Sequence, residues 1–232
     1  PSAVAGRMAA SVERRAAGEP LQYVVGRWAF RRLELALDPR VLIPRPETEV
    51  LAGVALDECD RLGARVVVDL GTGSGALALA LATERNELEV WGTDLSADAL
   101  VVAEANRAAV GAEIRLVQAS WYEALPAELA GRVDVIVSNP PYLSDADMAG
   151  LPDEVRDWEP AGGLCAGPDG LEDVAVIVRG AGRWLARPGV VLVEMAPHQT
   201  ERAARLAQAA GFDEVEIRRD LAGRARMLVA RL

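Results

Sequence analysis

The stretch Arg65-Val66-Val67-Val68-Asp69-Leu70-Gly71-Thr72-Gly73-Ser74-Gly75 decides the fold class of this chain. Its first six residues form an apolar run with the length of a buried strand, and three glycines follow at once. Glycines permit a sharp backbone turn and the close approach of a ligand. Gly71, Gly73 and Ala76 also satisfy the G-x-G-x-x-G/A pattern of dinucleotide-binding enzymes. The stretch therefore predicts a strand that ends in a ligand-binding turn, and it leaves open whether the ligand is a dinucleotide or S-adenosylmethionine.

Strands and helices alternate from Arg65 onward, which predicts a mostly parallel sheet with helices on both faces. The last two strands flank a short turn at Ala222-Gly223 and predict an antiparallel hairpin. A parallel sheet closed by such a hairpin is the plan of S-adenosylmethionine-dependent methyltransferases, so we expect a Rossmann-like α/β fold with a seven-stranded sheet. The predicted strands are 65–70, 89–93, 113–118, 133–138, 190–195, 214–219 and 225–231. The predicted helices are 48–62, 76–84, 97–110, 171–185 and 200–210.

Two segments precede this alternating region. Residues 2–17 have helical spacing and end at Gly18, while residues 21–43 alternate apolar with polar side chains around Gly26 and predict a β-hairpin or short meander. We therefore expect three parts. Residues 1–18 are the remnant of an N-terminal helical domain, 19–46 a β-hairpin linker, and 47–232 the methyltransferase domain.

Composition excludes several classes of function. The chain has 232 residues, 51% of them hydrophobic, and a net charge of -10, so one sizeable core is expected and tight non-specific binding of nucleic acid is not. No run approaches the roughly 18 apolar residues of a membrane span, and no signal peptide is recognisable. Cys59 and Cys165 are isolated and His198 is the single histidine, which argues against metal sites. These counts predict a cytoplasmic, metal-free protein.

Three further side chains fit a nucleoside cofactor. Asp94 ends the second predicted strand, where a carboxylate can accept hydrogen bonds from both ribose hydroxyls, and its spacing from the glycines fits a βαβ unit. Trp121 and Tyr122 follow the third strand. Each of these aromatic side chains either packs in the core or offers a stacking surface for adenine, and the sequence leaves both interpretations open.

A second motif, Asn139-Pro140-Pro141-Tyr142, follows the fourth predicted strand. The Asn139 side chain and the Pro140 backbone each offer a carbonyl oxygen, and consecutive prolines fix φ so that these acceptors are held in place. Two such acceptors can bind both N–H groups of a planar NH2 and stabilise positive charge on its nitrogen. Tyr142 offers an aromatic wall. Together with the glycine turn, the motif predicts methyl transfer from S-adenosylmethionine to nitrogen.

From about Gly18 to its C-terminus, the chain resembles the HemK-like family of N5-glutamine methyltransferases, which modify peptide chain release factors. The resemblance rests on segments 18–23, 41–49, 71–75, 139–142, 159–160 and 167–171. Asn-Pro-Pro-Tyr alone is shared with adenine-N6 DNA methyltransferases, whereas Ile-Pro-Arg-Pro-Glu-Thr-Glu at 43–49 favours enzymes that act on protein glutamine. An amino methyltransferase acting on adenine in nucleic acid, or on a ribosomal-protein glutamine, is the alternative.

The resemblance implies a cofactor, a substrate and a role for each motif. The substrate would be the glutamine of a Gly-Gly-Gln loop, and S-adenosylmethionine would leave as S-adenosylhomocysteine. Ser120 departs from the family, which often has an acidic residue there. The implied cofactor-binding residues are Gly71, Thr72, Gly73, Ser74, Gly75, Asp94, Trp121 and Asn139. The implied substrate-binding residues are Asn139, Pro140, Pro141, Tyr142, Arg45 and Glu47, with Asn139, Pro140 and Tyr142 catalytic and Arg45 and Glu47 at the entrance.

Overall fold

Two β-sheets organise residues 2–232, which the computed structural model describes. The strands are β1 (Arg27–Phe30), β2 (Leu33–Ala36), β3 (Val66–Leu70), β4 (Glu89–Asp94), β5 (Ile114–Gln118), β6 (Val133–Ser138), β7 (Leu185–Glu194), β8 (Glu214–Arg219) and β9 (Ala225–Arg231). β1 and β2 form an antiparallel hairpin, and the other seven form one sheet in the order β5-β4-β3-β6-β7-β9-β8. The first five of these pair in parallel, and β9 pairs antiparallel with β7 and β8. The predicted fold class is confirmed.

Helices cover both faces of the large sheet. The α-helices of residues 2–232 are α1 (Ser2–Ala16), α2 (Leu21–Val25), α3 (Pro46–Leu62), α4 (Ala76–Glu84), α5 (Ala97–Val110), α6 (Asp145–Met148), α7 (Asp153–Arg156), α8 (Glu172–Trp184) and α9 (Thr200–Ala209). Apolar side chains of α3 and α4 pack with one face of the sheet, and those of α8 and α9 pack with the other. None of the helices within residues 2–232 combines the length and the apolar character that crossing a bilayer requires.

The two sequence motifs leave the sheet side by side. β3 and β6 are neighbours, with Leu70 opposite Ser138, and the Ser138 hydroxyl donates a hydrogen bond to the Leu70 carbonyl oxygen at 2.6 Å. The glycine turn begins at Gly71 and the Asn-Pro-Pro-Tyr motif at Asn139, one residue after this pair. The chain continues from β3 to β4 on one side and returns to β6 on the other, so both motifs lie at the topological switch point, where open α/β sheets bind ligands.

The prediction of extended structure over residues 21–43 was partly wrong. Leu21–Val25 forms helix α2, and the hairpin is confined to β1 and β2. Pro20 precedes the helix, and Gly26 ends it with φ of 75° and an N–H that donates to the carbonyl oxygen of Gln22. This single helical turn between a proline and a glycine is too short to show helical periodicity, and its β-branched residues are typical of strands. The sequence pattern therefore does not distinguish it from a strand.

The start of β7 also differs from the sequence prediction. β7 begins at Leu185 rather than at residue 190, because Leu185 pairs with Val133 before a register shift in the ladder. The sequence Arg187-Pro188-Gly189 interrupts the apolar pattern and hides this extension. The segment that follows Tyr142 contains the one-turn helices α6 and α7, which the sequence analysis did not predict.

Candidate active site

The glycine turn has the backbone geometry that its composition predicts. Gly71, Gly73 and Gly75 have φ of 73°, 55° and 83°, the left-handed region that glycine adopts without strain. The N–H groups of Gly71 and Thr72 both donate to the Thr93 carbonyl oxygen at 2.8 Å. The turn is therefore bonded to the end of β4, and Gly75 caps the start of α4.

Asp69 anchors this turn from within β3. Its Oδ2 accepts hydrogen bonds from the Thr72 hydroxyl at 2.6 Å and from the Ala78 N–H at 3.2 Å. Burial raises the pKa of Asp69 to about 7, and its Oδ1 has no hydrogen-bond partner. The sequence analysis assigned Asp69 no role, although a carboxylate inside an apolar strand was a usable signal, since such groups are rarely buried without a purpose.

Asp94 lies where the sequence predicts it, at the end of β4. Its Oδ2 accepts from the Gly73 N–H at 2.8 Å and its Oδ1 accepts from the Ser96 N–H at 2.9 Å. Burial raises its pKa despite these bonds. Each carboxylate oxygen can accept more than one hydrogen bond, so a ribose can still bind to a carboxylate held in one orientation.

The structure separates the roles that the sequence left open for Trp121 and Tyr122. Trp121 lines a cavity beside the glycine turn, and its ring lies 3.5 Å from the position that a Cβ on Gly71 would take. Its φ of 49° is uncommon for a residue other than glycine. Tyr122 is buried in the core, where its hydroxyl donates to the Ile177 carbonyl oxygen at 2.8 Å and its ring stacks on Trp184.

A cavity of about 620 Å³ joins the two motifs. This volume falls within the roughly 300–1,000 Å³ of small-molecule sites. The predicted residues that line it are Gly71, Thr72, Gly73, Ser74, Asp94, Trp121, Asn139 and Pro141. Lining residues that the sequence analysis missed include Arg40, Leu42, Thr48, Leu77, Leu95, Ser96, Gly162, Gly163 and Asp173. Several of these come from loops whose approach to the cavity depends on tertiary packing.

Asn139 has the free acceptor that the motif predicts. Its Nδ2 donates to the Thr48 hydroxyl oxygen at 3.1 Å, and its Oδ1 is buried without a hydrogen-bond partner. No residue within 2–232 donates to the carbonyl oxygen of Pro140 either. An orphaned buried acceptor is costly, and a ligand N–H is one group that would satisfy it.

The remaining predicted substrate residues do not line the cavity. Arg45 is paired with the buried carboxylate of Glu159, and Glu47 is paired with Arg224. These partners lie more than 100 residues away along the chain, so the sequence could not reveal the pairs. An entrance role for Arg45 and Glu47 stays a prediction.

Pro140 and Tyr142 do not contribute to the lining of the cavity either. Burial raises the pKa of the Tyr142 hydroxyl to about 12. Gln199 donates from Nε2 to the carbonyl oxygens of Tyr142 at 2.7 Å and Gly170 at 2.9 Å. A Cβ on Gly170 would lie 2.5 Å from the Tyr142 carbonyl oxygen. Segment 167–171 can therefore pack against the Asn-Pro-Pro-Tyr motif only with glycine at position 170.

The fold and this site define an S-adenosylmethionine-dependent methyltransferase. The family model described as Methyltransferase small domain matches residues 48–151. The release factor glutamine methyltransferase of Bordetella pertussis is 46% identical over 210 residues, which cover 90% of this chain and 77% of that protein. The protein of the same name from Burkholderia pseudomallei is 41% identical over 237 residues, covering 100% and 82%. The chain therefore belongs to the release factor glutamine methyltransferase family.

A solved structure agrees with this assignment. The release factor-specific protein-(glutamine-N5) methyltransferase of Alicyclobacillus acidocaldarius is 29% identical and superposes with a TM-score of 0.51. The alignment covers 84% of this chain and 97% of that one. The site fits the cofactor that the family uses, because a glycine turn with left-handed backbone at Gly71 faces the Trp121 ring across the cavity, and a half-buried carboxylate stands at the end of β4.

Proposed function

We propose that this enzyme methylates the side-chain amide nitrogen of the glutamine in the Gly-Gly-Gln loop of peptide chain release factors, in the cytoplasm. The names of its relatives support this substrate. On this chain, the observation that carries the proposal is the unpaired, buried Oδ1 of Asn139 beside the glycine turn.

The division into segments 1–18, 19–46 and 47–232 stays a prediction.

The chemical problem is the poor nucleophilicity of an amide, whose nitrogen lone pair is delocalised into the carbonyl group. In the proposed mechanism, Asn139 Oδ1 accepts one N–H of the glutamine amide and the Pro140 carbonyl oxygen accepts the other. These two acceptors hold the nitrogen in place and stabilise the positive charge that develops on it. When bound, S-adenosylmethionine supplies an electrophilic methyl group. The surplus proton is then acidic enough to pass to solvent without a strong base.

Separate residues hold the cofactor in this proposal. The turn from Gly71 to Gly75 approaches it with backbone atoms, Asp94 accepts hydrogen bonds from the ribose, and Trp121 stacks on adenine. Asn139 and Pro141 line the same cavity as the glycine turn, Asp94 and Trp121. The same cavity is thus large enough to accommodate both the methyl donor and the acceptor group.

Methylation of a release factor with isotope-labelled S-adenosylmethionine, followed by mapping of the modified residue, tests this function. We expect label only on the glutamine of the Gly-Gly-Gln loop, and none on a release factor in which that glutamine is replaced by alanine. Label on a lysine, on adenine in DNA or RNA, or on a ribosomal protein in preference to the release factor would contradict the proposal.

A further inference from the structure

We infer that Thr48 and Glu194 are positioning residues for the reaction: a hydrogen-bond chain that ends on the Glu194 carboxylate aims the Asn139 oxygen at the substrate. This inference rests on the proposed function, because it assigns Asn139 Oδ1 to the glutamine amide. The residues belong to three elements, since Thr48 lies in the first turn of α3, Asn139 follows β6 and Glu194 ends β7.

Two consecutive hydrogen bonds connect the three side chains. Asn139 Nδ2 donates to Thr48 Oγ1 at 3.1 Å, and Thr48 Oγ1 donates to Glu194 Oε2 at 2.8 Å. Register brings the ends together, because Ser138 pairs with Val193 and the next residue on each strand is Asn139 or Glu194. The three groups are therefore held by the sheet and by the start of a long helix, which are rigid elements.

Direction matters because the two ends of an asparagine amide have the same shape. Packing alone does not decide which end faces the cavity, and a flipped Asn139 would present N–H groups to the N–H groups of its substrate. A threonine hydroxyl can donate or accept, so Thr48 by itself decides nothing either. An ionised carboxylate can only accept. Glu194 therefore makes Thr48 donate to it, which leaves the Thr48 oxygen to accept from Nδ2 and turns Oδ1 of Asn139 to the other side.

The surroundings of Glu194 argue against a purely structural role. Glu194 is 1% exposed, and its Oε1 has no hydrogen-bond partner. A buried charge with an unsatisfied oxygen costs stability compared with an apolar side chain of similar size. We attribute the burial of this carboxylate to its function, because ionised Glu194 orients the Asn139 amide through Thr48.

The charged groups around Glu194 favour different protonation states. Burial is the largest influence and raises its pKa to about 7, while the Thr48 hydrogen bond, Arg226 and Arg45 lower the pKa and Glu47 raises it. The hydroxyl of Tyr142 is neutral at physiological pH, because burial and the charge of Glu194 raise its pKa. The ionised form of Glu194 is thus populated near neutral pH, and this is the form that sets the direction of the Thr48 and Asn139 hydrogen bonds.

Three variants test the inference. Thr48→Val removes the hydroxyl but keeps the shape of the side chain, Thr48→Ser keeps the hydroxyl, and Glu194→Gln replaces an acceptor-only group with one that can also donate. Thr83→Val is the matched control, because the Thr83 hydroxyl bonds only to the backbone of α4, at the end remote from the turn. Methylation of a release factor, S-adenosylmethionine affinity by calorimetry and the side-chain amide signals of Asn139 by NMR are measured for each.

We expect Thr48→Val and Glu194→Gln to lower kcat on the order of tenfold, the scale of one hydrogen bond, without weakening cofactor affinity. Thr48→Ser should retain most activity, and Thr83→Val all of it. The chain has three asparagines, so labelling asparagine with 15N gives three side-chain amide pairs, and only the Asn139 pair should shift and exchange faster in Thr48→Val.

Two results would overturn the inference. One is an unchanged Asn139 amide signal and kcat in Thr48→Val; the other is a Thr48→Ser variant as impaired as Thr48→Val, which would indicate a packing role. Failure of the proposed function looks different, because the wild-type protein would then leave the release factor unlabelled. The NMR comparison would still decide whether Thr48 orients Asn139.

Discussion

The carboxylate of Asp94 accepts a hydrogen bond from the backbone N–H of Gly73 at 2.8 Å, so the last residue of β4 holds the middle of the glycine turn that follows β3. Its other oxygen accepts from the Ser96 N–H at the start of α5. Asp94 therefore has a structural role in addition to the proposed contact with ribose. A substitution at this position tests both roles, and the two can be separated by the choice of side chain.

Asp94→Ala should weaken S-adenosylmethionine binding by roughly 1.5–3 kcal/mol, the range for hydrogen bonds to a charged group. Asp94→Asn should lose less, because an amide oxygen can still accept from Gly73 while the charge is gone. Isothermal titration of each variant measures the loss. Full affinity with lost turnover in Asp94→Ala would refute the assignment of Asp94 to the cofactor.

Asn139→Ala should give the opposite pattern. Removing one positioned acceptor costs on the order of a hundredfold in kcat, whereas the cofactor contacts of the glycine turn remain, so affinity for S-adenosylmethionine should be nearly unchanged. Steady-state methylation of a release factor and calorimetry provide the two values. Asn86→Ala, in the exposed turn before β4, is the control and should match the wild type in both.

The adjacent residues Trp121 and Tyr122 should respond to substitution in different assays. Trp121→Ala should weaken cofactor binding by about 1–3 kcal/mol, the range for a base stacked on an aromatic side chain. Tyr122→Phe removes only the hydroxyl that donates to Ile177, so it should cost about 1 kcal/mol of stability and leave affinity unchanged. Thermal unfolding and calorimetry distinguish the two effects. Equal losses of affinity would contradict the separation of these side chains between cavity and core.

Glu194→Gln should change how stability depends on pH. Burial raises the pKa of Glu194 from 4.5 to about 7, so the folded state favours the protonated carboxyl, and the wild type loses stability as pH rises through this interval. Glutamine does not ionise. The difference in Tm, variant minus wild type, should therefore be more positive at about pH 8 than at about pH 5. A difference that is constant or reversed would mean that Glu194 does not titrate as its burial implies.

The sheet could be predicted from sequence because its central strands carry their own signal. β3 and β6 are buried on both faces, which requires the near-continuous apolar runs that Val66 to Leu70 and Val133 to Ser138 provide. The pairing of such strands fixes the positions of the motif residues that directly follow them. For this reason Gly71, Asp94 and Asn139 were located correctly at the carboxyl edge.

The contacts around Asn139 could not be predicted in the same way. Thr48 and Glu194 are separated by 146 residues, and their hydrogen bond depends on the docking of α3 against the end of β7. Nothing local distinguishes this threonine from any other in the first turn of a helix. Arg45 and Glu47 illustrate the same limit, because their ion-pair partners Glu159 and Arg224 lie in distant segments.

The pairing of Leu70 with Ser138 has a consequence for how the family can diversify. Gly71 and Asn139 each follow this last pair of one parallel ladder, on neighbouring strands about 4.8 Å apart. In the proposed function, the distance between the methyl donor and the acceptor is therefore set by the backbone of the sheet and not by mobile side chains. Loops farther out can be rebuilt to admit a new macromolecule while the reach of the transfer remains constant.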